Sequence, residues 1–71
     1  MNIDIRKNVI DKIKNDDEKT IIETLNESVV TGNELVLPGL GVMLEIFWNQ
    51  LDNETKQKIA KIIKNKVREN N

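Results

Sequence analysis

Leu35 to Trp48, LVLPGLGVMLEIFW, contains the only proline, phenylalanine and tryptophan of the 71-residue chain and two of its three glycines. Pro38 suits the first turn of a helix, where its missing N–H costs no hydrogen bond, and it biases Leu37 before it toward an extended conformation. Advancing about 100° per residue through 40–51 puts Leu40, Met43, Leu44, Phe47, Trp48 and Leu51 in one wide arc. Val42 and Ile46 fall on the far side, with Glu45 and Asn49 between. A helix apolar on nearly all sides is one surrounded by other elements. The stretch therefore predicts a central buried helix, with Val42 and Ile46 as candidates for self-association. A hairpin is the alternative, with Glu34 to Leu37 and Val42 to Trp48 as strands. It lacks period-2 alternation and further strands to complete a sheet.

On either side the pattern is amphipathic helix. Asp4 can cap a first helix ending near Asn15, with Ile5, Val9, Ile10 and Ile13 on one face. Asn15 or Asp16 caps a second, whose first turn carries Asp17 and Glu18 at the positive end of the dipole. Its stripe is Ile21, Ile22, Leu25, Ser28 and Val29, and Gly32 is the expected stop. Asp52 or Asn53 opens the last helix, with Ile59, Ile62, Ile63 and Val67 inward and Lys58, Lys61, Lys64 and Arg68 on the opposite face. The tail Glu69, Asn70 and Asn71 is expected to fray. The fold class is all-α, a compact three- to four-helix domain spanning residues 1–71.

Size and composition narrow the function. A core from fewer than roughly 70 to 80 residues seldom supplies more than about 3 to 5 kcal/mol without a staple. Cys and His are both absent, which removes disulfides and the usual zinc ligands. Self-association is the remaining way to bury apolar area, so a homodimer is expected. The N-terminus lacks the apolar run of a signal peptide, implying an intracellular protein. The central apolar stretch falls short of the ~20 residues that span a bilayer. The net charge of -1 hides three zones: +2 over 1–15, -6 over 16–51 and +3 over 52–71.

No residue constellation points to a reaction. Gly39-Leu40-Gly41 lacks the Lys-Ser/Thr of a P-loop and the third glycine of a dinucleotide site, so the glycines read as aids to close packing or a tight turn. Asp16-Asp17-Glu18 lacks the alternation of a calcium loop and reads as helix capping. Glu45 is the one candidate general acid or base, but no second catalytic group accompanies it. A structural carboxylate is favoured, with the Trp48 indole or a lysine of another helix as partner. Without His or Cys no nucleophilic triad can form. Neither an enzyme nor a cofactor or metal is expected. Lys58, Lys61, Lys64 and Arg68 cluster like charges at i+3 and i+4, a candidate face for an anionic partner. Solvent or the protein's own acidic region is favoured over nucleic acid, and a membrane over neither.

Leu37-Pro38-Gly39-Leu40-Gly41-Val42, followed by Glu45 and Trp48, resembles the small acid-soluble spore protein I (SspI) family of endospore-forming bacteria. The upstream residues agree: Arg6, Val9-Ile10, then Thr20-Ile21 through Val29 to Gly32 and Glu34. The C-terminus departs by being more basic, so no role for Lys58 to Arg68 carries over. The resemblance implies a non-enzymatic protein stored in the dormant spore core, a structural or protein-interaction module with an unknown spore-core partner. Acid solubility fits the composition, because below about pH 4 the twelve acids neutralise while eleven basic groups stay charged. A second similarity runs from Thr20 to Val42, where Gly32, Glu34, Val36, Gly39 and Gly41 resemble the N-terminal region of HU-type nucleoid proteins before their sheet. The chain is too short for the DNA-gripping arm of that family. A small nucleoid-associated protein using the basic last helix is the rival reading.

Overall fold

The computed structural model describes residues 4–69 as four α-helices and one 3-10 turn. Helix α1 runs Ile5–Ile13, α2 Glu18–Thr31, α3 Leu37–Asn49 and α4 Asn53–Glu69, with the 3-10 turn at Glu34–Val36 leading directly into α3. There is no strand among the described residues, which removes the hairpin alternative. The expected fraying of Asn70 and Asn71 lies outside the described residues, and Glu69 is the last helical residue.

Short side chains start α1, α2 and α4. The Lys7 N–H donates to Asp4 Oδ1 at 3.0 Å and opens α1. Asp17, not Asn15 or Asp16, caps α2, accepting from the Thr20 N–H at 2.9 Å. Ile21, Thr24, Leu25 and Ser28 make the half-buried face of α2. Gly32 ends α2 with φ 63°, a left-handed conformation that costs glycine nothing. Asp52 accepts from the Thr55 N–H at 2.8 Å and opens α4.

The entry to α3 differs from expectation. Leu37 is helical, with φ -59° and ψ -43°, despite the proline after it. Asn33 is the reason: its side chain accepts from the Leu35 N–H at 2.9 Å and its carbonyl from the Val36 N–H at 3.0 Å. The chain is already turning when it reaches Leu37, so Pro38 falls in the first turn, where its missing N–H is no loss. Gly39 and Gly41 then lie inside the helix. Neither has a positive φ, and a Cβ at either would meet nothing within 4 Å. The close packing or tight turn expected of them is not what the chain uses them for.

Helix α3 lies mainly against α1 and the 3-10 turn. Among the described residues Val42 alone is buried, at 6% exposure. The helical projection put Val42 on the far side and Leu44 and Phe47 inside. The fold reverses this, because α1 covers the Val42 side while Leu44 and Phe47 remain about half exposed. The expectation of a central helix buried all round is corrected accordingly. Ile22, Val29, Ile62, Ile63 and Val67, all assigned to inner stripes, are likewise exposed. The four helices fold back into an envelope of 37 × 30 × 28 Å that is loosely filled. The radius of gyration is 14.1 Å, against about 11 Å for a closely packed chain of this length. The accessible surface is 6451 Å², against about 4,500 Å² for a folded monomer of this mass.

Candidate functional site

The side chains with chemistry to offer gather where α1, α3 and α4 converge. Arg6 stands one residue into α1 behind the Asp4 cap, and Glu45 sits three residues after buried Val42 on the same face of α3. Arg6 Nε donates to Glu45 Oε1 at 2.8 Å and Arg6 Nη2 to Oε2 at 2.7 Å. This two-pronged geometry is the one a planar guanidinium makes with a carboxylate. The hydrogen bond to Arg6 holds the Glu45 carboxyl below its ordinary range, and the same bond raises Arg6. A general acid or base working near neutrality needs a carboxyl shifted the other way, so Glu45 is a structural group. Its partner is neither the Trp48 indole nor a lysine. A lone acid on an apolar helix signalled the need for a partner; that Arg6 supplies it depends on α1 folding back across α3.

Trp48 meets α4 instead. Lys56 Nζ lies 5.5 Å from the Trp48 ring centroid, a cation–π contact across the α3–α4 corner. The Gln50 and Leu51 N–H groups donate to the Phe47 and Trp48 carbonyls at 3.0 and 3.1 Å and tighten the same corner.

An open groove of about 640 Å³ runs between α1, α3 and α4, with Ile10, Ile46, Ile59 and Ile63 on its walls and the Arg6–Glu45 pair at its edge. Ile46, a candidate for self-association, is 43% exposed there, whereas its proposed companion Val42 is buried within the chain. Of the motif residues, Leu37 and Gly41 are exposed, Gly39, Leu40 and Trp48 half-buried. Pro38 borders a smaller depression beside Ile5, Arg6 and Glu45.

Lys58, Lys61, Lys64 and Arg68 are exposed residues of α4. Lys58 reaches Glu54 of its own helix at 3.7 Å. Lys61, Lys64 and Arg68 are exposed and form no ion pair among the described residues. Among those residues no group of three or more acidic side chains could hold a metal ion, and no helix is long and apolar enough to cross a membrane. Asp17, in the acidic cluster, is occupied by its capping bond, which lowers its pKa.

The family model described as "Small, acid-soluble spore protein I" matches residues 3–67. The chain belongs to this family. A family member from Halalkalibacterium halodurans is 29% identical over 63 residues, covering 89% of this chain and 93% of its own. The Bacillus subtilis (strain 168) member is 27% identical over 63 residues, 89% of both chains. The Bacillus mycoides member is 29% identical over 59 residues, 83% of this chain and 86% of its own. No solved structure matches. Membership makes the chain a spore protein without enzymatic activity. None of these matches supports the similarity to HU-type proteins, and after Gly32 this chain continues as a 3-10 turn and a helix.

Proposed function

We propose that this protein is stored in the dormant spore core as a structural, protein-interaction module that works by associating with copies of itself and with another spore-core protein. One observation carries the reading: the four helices bury a single side chain among the described residues and leave thirteen large apolar ones exposed. Scattered apolar residues are ordinary on a surface, but two or more large apolar side chains exposed on each of the four helices mark an association surface. Light scattering across micromolar concentrations tests self-association, and a monomer throughout would end it. Crosslinking in intact spores followed by partner identification tests the rest, with recovery of this chain alone counting against a second partner.

A second reading rests on Lys61, Lys64 and Arg68, which share one face and lack acidic partners among the described residues. They suit the phosphates of a nucleic acid. Affinity for duplex DNA that falls steeply with salt supports this reading, and no binding even at low salt sinks it.

A further inference from the structure

We infer that helix α2 is a flap: it detaches as a unit, by opening its own turns, while α1, α3 and the start of α4 stay together. The inference concerns the single chain and holds whether or not the chain self-associates.

The other three helices are fastened to one another, and α2 is not. Helix α1 is held on α3 by the two Arg6–Glu45 hydrogen bonds and by the burial of Val42. Helix α4 is held on α3 by the Gln50 and Leu51 N–H groups at the corner and by Lys56 over the Trp48 ring. On α2 the hydroxyls of Thr24 and Thr31 donate to carbonyls of their own helix, those of Thr20 and Glu27, at 3.0 and 2.7 Å. Among the described residues no side-chain hydrogen bond or ion pair joins α2 to another helix. No side chain of α2 is buried, and Ile21 and Leu25, the apolar part of its inward face, are half-buried.

The seam under α2 is also poorly matched. A gap of about 220 Å³ lies between α2 and the α1–α3 pair. Its far wall is apolar, with Val9, Ile13, Leu40 and Met43, whereas α2 brings only Thr24 and Ser28 to it. Two short side chains do not fill the space, so the close packing that holds a helix down is missing along this seam. A segment with few buried apolar contacts opens at a lower free energy than the whole fold. The two ends of α2 permit it: Gly32 sits at φ 63° on one side, and the connection 14–17 leads in on the other. Opening bares Val9, Ile13, Leu40 and Met43, all half-buried with α2 in place. The flap thus switches one apolar face of α1 and α3 between covered and available.

Residue-resolved hydrogen exchange on the wild-type chain in dilute solution tests this. Amides in the body of α2, residues 22–31, are expected to exchange about tenfold faster or more than those of α3 at 42–49, with rates that dilute urea leaves unchanged. Equal protection of the two helices overturns the inference. Asn26→Pro breaks α2 at an exposed position. It is expected to remove one helix's share of the circular dichroism while Trp48 emission and the slow exchange of α3 persist. Loss of α3 protection together with α2 would mean that the two open only as one, and would overturn the inference. Ser28→Leu reaches into the gap and is expected to slow α2 exchange about tenfold with α3 unchanged. Exchange in α2 as fast as in the wild type would show that the unfilled seam is not what frees the helix, which also counts against the flap.

Discussion

Arg6 on α1 and Glu45 on α3, 39 residues apart in sequence, join through two hydrogen bonds of 2.8 and 2.7 Å. They clasp the two helices that make the closest packing in the fold. Both side chains are substantially exposed, 70% and 48%, so the geometry of the pair, more than its burial, gives it value.

Acid should loosen this clasp. The Glu45 carboxyl is lower in the folded chain than unfolded, so its contribution is present above the ordinary value of about 4.3. It is lost as pH falls through the lowered value. The urea midpoint of the wild type should therefore fall between neutrality and pH 3 by more than that of Glu45→Gln. Equal pH dependence in the two proteins would assign the acid sensitivity to other carboxylates. Arg6→Lys keeps the charge but cannot form both bonds, and should unfold at lower urea than the wild type at pH 7.

The three glycines should respond in opposite directions. Gly39→Ala and Gly41→Ala place a methyl in open space within a helix and should each stabilise the protomer by about 0.5 to 1 kcal/mol. Gly32→Ala forces a side chain into φ 63° and should cost about 1 to 2 kcal/mol. Thermal melts of the three variants at one protein concentration check the signs.

Val42→Ala removes the one side chain found buried among the described residues and should cost about 2 kcal/mol from lost burial and the gap left behind. Leu35→Ala, at 85% exposure, should shift stability by less than about 0.5 kcal/mol. Chemical denaturation distinguishes them, and a Leu35 effect as large as that of Val42 would mean another surface covers Leu35.

Asp17 and Asp52 each accept the N–H of the residue three positions on, and their pKa values are lowered by those bonds to Thr20 and Thr55. Asp17→Asn retains an oxygen for the cap and should leave helicity at pH 7 nearly unchanged, whereas Asp17→Ala should reduce it. In acid the wild type should converge on the Asn variant, because protonation removes the charge but leaves the acceptor. Circular dichroism at pH 7 and pH 2.5 follows both effects.

Local signals were sufficient for the four helices. Asp4, Asp52, Gly32 and Pro38 act on neighbours within a few residues, so their roles do not depend on the rest of the chain. The proline at 38 read correctly as a helix start, and the family motif around it pointed to the family that matches residues 3–67. Which face of each helix turns inward was not legible. Periodicity identifies an apolar stripe but not its neighbour, and α3 is apolar nearly all round. Where α1 crossed it settled that Val42 is covered and Leu44 and Phe47 are not. The same crossing brought Arg6 to Glu45, and the α3–α4 corner brought Lys56 to Trp48. Local propensity sets elements within a few residues, whereas burial and long-range pairing depend on how helices pack, and here the packing leaves the apolar faces of α2 and α4 open.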